Sequence, residues 1–374
     1  MKVSKYALLC LVCIAMSCKS AESQTQTESK VNTPKNVILL IGDGTGLSQI
    51  SSAFFFKETP PNYGRFKHIG LIKTSSSRED VTDSAASGTA FASGVKTYNG
   101  AIGVADDSTE VATIVEIVSP KNIKTGVIST SIIIHATPAS FYAHSLSRSF
   151  YYDIAADLAD SDIDFFAGGG TKFFHKREDG RDLFNDLRAK QFNIDTIQLG
   201  SFNSIKPYSK AAYLLNEYDM PKITEGRGDF LPKATELGIQ FLNKNDSNFF
   251  LMVEGSQVDW GGHGNDTNYL VTELIDFDDA IGKALDFAEK DGNTLVIVTA
   301  DHETGGFTLA PSTKKREDGS EYSDYSEVAG VFSTTGHSAT LIPVFAFGPG
   351  AEEFSGVYEN NEIFHKILKV TGWK

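Results

Sequence analysis

The chain has 374 residues, of which 41% are hydrophobic and 22% charged, a composition that gives a globular protein with a substantial core and excludes a disordered one. Its formal net charge of −14 argues against a general grip on nucleic acid or other polyanions. A site for an anionic substrate would need positive charge concentrated locally, as bound metal ions supply it.

Lys2 and Lys5 precede an apolar run from Ala7 to Met16 and then small residues, the pattern of a secretory signal too short for a comfortable transmembrane helix. Two processing routes are open. Ala15-Met16-Ser17-Cys18 loosely fits a lipoprotein signal with Cys18 as lipid anchor, whereas cleavage after Ala21 would release a soluble protein. The expected organisation is therefore a signal over 1–21, a flexible tether over 22–33 and a single domain over 34–374. Cys10, Cys13 and Cys18 all fall in the first segment, so the processed protein keeps no cysteine pair.

Further along, short apolar runs repeatedly close on polar residues. Residues 36–42 lead to Asp43, residues 126–130 to His135 and Thr137, residues 248–253 to Glu254, and residues 294–299 to Asp301 and His302. Such runs are buried parallel strands, and in open α/β sheets the ligand crevice lies beyond their carboxyl ends. A further strand is expected over 68–75. After it, VTDSAASGTA at 81–90 places Ser84 at a helix N-terminus, where it is a nucleophile favoured by unpaired N–H groups unless Asp83 or Ser84 is only a cap; beside a nucleophilic Ser84, Asp83 would position Arg148 or the turn.

Helical periods fill the intervals, with Leu270, Leu274, Phe277, Ile281 and Leu285 on one stripe and a shorter helix over 231–243. The segment 160–228 is expected to be a peripheral insertion, with its charges at 172–177 on a solvated face. Residues 303–336 are expected to be a long loop region with a strand over 306–310. Asp259 and His263 have helical i, i+4 spacing, but the intervening Gly261 and Gly262 argue for a loop. Strands alternating with helices predict a three-layer α/β sandwich, its central sheet mainly parallel and covered by helices on both faces.

Asp43, Glu254, Asp259, His263, Asp301, His302 and His337 form an N/O ligand inventory suited to zinc and magnesium, without thiolate. Individually these residues are weak signals. Jointly, IGDGTG at 41–46, TDSAASGTA at 82–90, GVKTYNGAIGV at 94–104, ATP at 136–138, SRSF at 147–150, VEGSQVDWGGH at 253–263, TADHETGG at 299–306 and TTGHSAT at 334–340 resemble the alkaline phosphatases, in order and across the mature chain. The likeness is to the small, cold-active, exported bacterial type.

That resemblance implies hydrolysis of phosphate monoesters over a broad range at alkaline pH, by a homodimer, with two Zn2+ and one Mg2+. Ser84 is then the transiently phosphorylated nucleophile. Asp259, His263 and His337 match the first zinc site; Asp43, Asp301 and His302, with deprotonated Ser84, the second; Asp43, Thr137 and Glu254 the magnesium site. Arg148 matches the phosphate clamp, forking onto two phosphoryl oxygens. His135 and Trp260 stand where the enterobacterial pattern has Asp and Lys. An imidazole at 135 favours zinc over magnesium in the third site, and Trp260 removes a cation that would retain phosphate. His68, His144, His175 and His365 match no metal motif. Alternatives within reach are a phosphodiesterase or sulfatase on the same metals, or a silent phosphate-binding lipoprotein. Terminal phosphates of nucleic acids are possible substrates without specific nucleic-acid binding. The expected location is exported: periplasmic, or held at the membrane by lipid.

Overall fold

The structure, a computed structural model, describes residues 33–374. The expected signal, Cys18 and nearly all of the expected tether lie outside the described residues.

The chain runs through strands β1 (Asn36–Gly42), β2 (His68–Lys73), β3 (Lys124–Ile132), β4 (Phe165–Gly169), β5 (Phe192–Asp195), β6 (Lys210–Leu214), β7 (Phe249–Gly255), β8 (Thr294–Thr299), β9 (Glu303–Thr304), β10 (Thr308–Lys315), β11 (Glu321–Val331), β12 (His337–Ser338), β13 (Ile342–Phe347) and β14 (Gly356–Glu359). Ten of them form one sheet in the order β14-β2-β13-β8-β1-β7-β3-β4-β6-β5. Its pairings are parallel except where β13 lies antiparallel between β8 and β2.

β1 explains why the strands read as unbroken apolar runs. Val37, Leu39 and Ile41 point into one core and Ile38 and Leu40 into the other, all without exposure. The first core is closed by helices that include Ser84–Ser93, Tyr151–Asp160 and Glu362–Thr371; the second by Leu47–Phe56, Phe230–Leu242 and Thr267–Asp291. Sheet and flanking helices are the three layers expected.

β1 sits between β7 and β8, and the chain leaves it first for β2 on one side and then for β3 on the other. That reversal makes the carboxyl end of β1 a switch point, where a crevice opens.

Three local expectations change. Residues 160–228 supply β4, β5 and β6, which extend the main sheet at one end. Arg177, expected on a solvated face, is buried and donates to the Tyr152 and Phe173 carbonyls and to Asp179. Residues 303–336 are not a long loop: the strand expected over 306–310 overlaps β10, which forms an antiparallel hairpin with β11, and β9 pairs with β12. Only the base of the hairpin, at Leu309, packs on the core; its outer part is polar, with Lys314 Nζ 2.5 Å from Asp324 and 2.9 Å from Glu327, and lacks the apolar alternation that marks a half-buried strand.

Candidate active site

Three neighbouring strands deliver carboxylates to one point. β1 ends at Gly42 and hands over to Asp43, β7 carries Glu254 in register with Ile41, and β8 ends just before Asp301. Asp43, Glu254, Asp301 and His302 are all 0% exposed. Gly44 lets this turn form: its φ is +71°, and a Cβ there would stand 2.6 Å from the Cα of Asp259.

Asp259 and His263 lie on a helix, Gln257–His263, not on the loop that the glycines suggested. Those glycines answer packing instead. A Cβ on Gly261 would come within 2.6 Å of the Leu270 backbone nitrogen, and one on Gly262 within 2.9 Å of the Thr304 carbonyl. The helix therefore seats tightly against its neighbours and presents Asp259 and His263 on one face.

Ligand atoms collect in three groups whose members lie within 4.8 Å of one another: Asp259, His263 and His337; Asp43, Asp301 and His302; Asp43, His135 and Glu254. Both Asp43 carboxylate oxygens, Asp301 Oδ2, Glu254 Oε1, Thr137 Oγ1 and His135 Nδ1 are buried without a hydrogen-bond partner in the protein. Adjacent carboxylates buried with unanswered oxygens are costly, and cations are the groups that remove the cost.

The histidine tautomers fit the same conclusion. His263 Nδ1 donates to the Thr335 carbonyl at 2.6 Å and His337 Nδ1 to the Thr82 carbonyl at 2.9 Å. A carbonyl only accepts, so each neutral ring keeps its Nε2 lone pair, and the two Nε2 atoms face each other at 3.2 Å beside Asp259. His302 stacks on His337 with ring centroids 3.5 Å apart. Thr304 Oγ1 donates to Asp259 Oδ1 at 2.5 Å and so accepts from His302 Nδ1 at 3.2 Å, turning His302 Nε2 toward Asp301, Asp43 and Ser84.

Charge and burial act strongly here. Burial, then repulsion from Asp301, Asp259 and Glu254, raises the Asp43 carboxyl well above its usual range. Burial likewise pushes Glu254 up to about 7, against hydrogen bonds from Ser129 and Ser256. Burial and the Arg148 guanidinium push His135 down to about 3, leaving the ring neutral, as a metal ligand must be. Burial opposes ionisation of Asp259 as well, but hydrogen bonding from His263 and the nearby imidazoles hold it below the carboxylate range.

Ser84 opens the fully buried helix Ser84–Ser93, with its Oγ 3.4 Å from His302 Nε2. Asp83 is the cap: its Oδ1 accepts from the Ala86 nitrogen at 3.0 Å, while its Oδ2 accepts from Gly100 N and Arg148 Nη1, both at 3.0 Å. Arg148 Nη2 also reaches His135 Nε2 at 3.2 Å. Trp260, on the Gln257–His263 helix, meets the His135 ring edge-on with centroids 6.1 Å apart. The structure thus brings Ser84, Arg148 and Trp260 against the residues of these three groups.

The alkaline phosphatase family model matches residues 34–317. The chain belongs to the alkaline phosphatase family. It is 31% identical to alkaline phosphatase 3 of Bacillus subtilis, over 94% of this chain and 92% of that one, and 32% identical to the Escherichia coli alkaline phosphatase, over 91% and 86%. Among solved structures it resembles the alkaline phosphatase of the Antarctic bacterium TAB5, at 63% identity and TM-score 0.90 over 92% of this chain and all of that one. The His 135 Asp mutant of the TAB5 enzyme, solved with Mg bound in the M3 site, matches at 65% identity and TM-score 0.91, again over 92% of this chain and 100% of that one. This phosphatase is a hydrolase of phosphate monoesters with a multi-metal centre.

Sequence reasoning missed Thr304, Ser129, Ser256 and Glu303. Glu303 accepts from Gln49, Phe307 N and Ser338, and so ties β12, which carries His337, to β9. Thr304 and Glu303 immediately follow a recognised ligand, and Ser256 lies close to another. That adjacency was the available signal, but short polar side chains are too common to stand out by type.

Proposed function

We propose that Ser84 attacks the phosphorus of a phosphomonoester, forming Ser84 O–P as the ester P–O bond breaks and the alcohol leaves with a proton, and that water then hydrolyses the phosphoserine to inorganic phosphate and free Ser84. The observation that carries this reading is the position of Ser84 Oγ, at a helix N-terminus and 3.4 Å from His302 Nε2, inside a ring of unpartnered buried ligand atoms. Asp259, His263 and His337 would hold one zinc, and Asp43, Asp301 and His302 a second. Asp43, His135, Thr137 and Glu254 would hold the third ion. When bound, these metals supply Lewis acidity for the attacking and leaving oxygens of an in-line displacement.

The protein's own groups do the rest. Arg148, aligned by Asp83, offers its guanidinium to the non-bridging phosphoryl oxygens. Thr304 fixes the His302 tautomer, and the backbone carbonyls of Thr82 and Thr335 fix those of His337 and His263. The His135 imidazole favours zinc in the third site, whereas the TAB5 mutant with Asp at the same number holds Mg there.

Ser84→Ala, reconstituted with zinc and magnesium varied separately, tests the reading. Turnover of p-nitrophenyl phosphate should fall by about 10⁴-fold or more with the metals still bound. Zinc-independent hydrolysis would sink it, and faster cleavage of the methyl diester would favour a phosphodiesterase.

Residues 1–21 serve as an export signal in this reading, with release after Ala21 or a lipid at Cys18, and 34–374 as the catalytic domain. The charge and apolar pattern of the first 21 residues supports it, and the intact mass of the exported protein separates the two routes. A second copy of the chain would cover the groove of about 640 Å³ lined by Leu47, Phe54, Ile69 and Val357, side chains left 52–69% exposed. Light scattering should give a dimer that Phe54→Asp dissociates.

A further inference from the structure

Glu254 is held from one side by serines. Ser129 and Ser131 lie on β3 and Ser256 follows β7, and all three are 0% exposed. Ser129 Oγ donates to Glu254 Oε2 at 2.6 Å, and Ser256 Oγ donates to the same oxygen at 2.7 Å. Ser131 Oγ lies 2.6 Å from Ser129 Oγ and 3.1 Å from the Ile132 carbonyl, and its backbone nitrogen donates to Ser129 Oγ at 3.0 Å. The Ser256 backbone nitrogen is in turn fixed by Thr130 Oγ1 at 2.9 Å.

The protons can be counted. Ser129 and Ser256 have one hydroxyl proton each; their Oγ atoms lie 2.9 Å apart, and the carboxylate oxygen that both of them reach is Oε2. Ser131 supplies its own proton to Ser129 Oγ, to the Ile132 carbonyl or, at 3.5 Å, to Oε2, so it orders the same side of the carboxylate and adds nothing to Oε1. One carboxylate oxygen is engaged by the serine hydroxyls while the other is reached by none of them. The asymmetry is built by rigid elements: Ser129 pairs across the sheet with Glu254 itself, in the β3–β7 register.

We propose that Ser129 and Ser256 are positioning residues that make Glu254 a one-oxygen ligand of the third metal, offering Oε1 alone. This rests on the multi-metal reading above. Carboxylates bind metals through one oxygen or two, and the choice sets how many positions remain for other ligands. With Oε2 engaged twice, a two-oxygen mode requires breaking two hydrogen bonds to a buried anion. The serines would thereby limit what Glu254 offers the third ion to one ligand atom, and their hydroxyls make no hydrogen bond to the residues that would hold the first two.

The test compares wild type with Ser129→Ala, Ser256→Ala and the double variant, each stripped of metal and titrated with Zn2+ and with Mg2+. Bound ions are counted by elemental analysis, and carboxylate stretches are followed by infrared difference spectroscopy. The double variant should bind the third ion about 10–100-fold more weakly, as loss of outer partners of a ligand generally does, with the two tighter zincs unchanged. Its carboxylate band splitting should shift from the one-oxygen to the two-oxygen pattern. Ser256→Thr, which keeps the hydroxyl, should retain wild-type affinity. The single variants carry the same signs at smaller size, so the inference stands or falls even where the double variant does not fold. Unchanged third-ion affinity and band positions in all alanine variants would overturn it. A wild type that binds only two ions would remove the third site and this inference together.

Discussion

Asp83 shows how one side chain can join a helix end to a substrate clamp. Its Oδ1 caps the Ser84–Ser93 helix, and its Oδ2 accepts from Gly100 N and Arg148 Nη1. An amide in place of the carboxylate cannot satisfy all three donors, because one of its two terminal atoms is itself a donor. Asp83→Asn should therefore loosen Arg148 and weaken inhibition by inorganic phosphate by about 10–100-fold, the cost of a charge-assisted bond, with zinc content unchanged. Unaltered inhibition would show that Arg148 is aligned without Asp83. Trp260 acts in the opposite sense. It packs against His135 where a cation would hold phosphate, so Trp260→Lys should tighten phosphate inhibition and slow turnover wherever product release limits it. If inhibition is the same in the variant, Trp260 is only a packing residue. The role of Asp83 in positioning Arg148 or the turn was legible in the sequence, whereas the contact of Trp260 with His135 was not, being defined by a partner far along the chain.

At the scale of elements, legibility followed burial. β1 and β8 were readable because every residue in them is buried, and a strand covered on both faces has no choice but an apolar sequence. The polar β10–β11 hairpin was not, because antiparallel pairing between solvated strands demands no such pattern. The Gln257–His263 helix failed for a different reason: Gly261 and Gly262 lower helix propensity, but close packing on Leu270 and Thr304 outweighs that preference. This difference can be measured. Gly261→Ala should raise intrinsic helix propensity yet destabilise the protein by about 1–3 kcal/mol, because its Cβ meets backbone and not a movable side chain. It should also weaken zinc binding, since the helix carries Asp259 and His263. Gly64→Ala, where the nearest atom to an added Cβ is 3.9 Å away, should be close to neutral in chemical denaturation. Equal effects of the two substitutions would mean that propensity, not packing, governs the ligand helix.

Across the whole molecule, the sheet topology forces the site and the site sets the conditions under which the molecule is stable. The reversal at β1 brings Asp43, Glu254 and Asp301 together, and their burial, with their mutual repulsion after it, is what the fold leaves uncompensated. Without metal, His263 is raised from 6.5 to about 9 by its hydrogen bond to Asp259, and Glu254 from 4.5 to about 7 by burial. A group whose folded pKa is raised contributes stability at pH below its unfolded value and loses it as pH rises through the folded one. His135, lowered from 6.5 to about 3, works oppositely, gaining stability with pH up to about 6.5 and partly cancelling Glu254 below that point. From pH 6.5 to about 9 the His263 contribution is lost, and Glu254 adds its own loss at the lower end of that window. His144, raised to about 9 chiefly by Glu116, loses stability over the same range whether or not metal is present, so it drops out of a comparison of loaded and metal-free protein. Bound cations replace the protons on His263 and Glu254, so metal binding should release protons and the stabilisation by metal should grow with pH. Thermal unfolding of loaded and metal-free protein between pH 6.5 and 9 should give a difference in midpoint that widens steadily. A constant difference would mean that the ligands give up no protons to the metal, and that the alkaline range has no special hold on the stability of this centre.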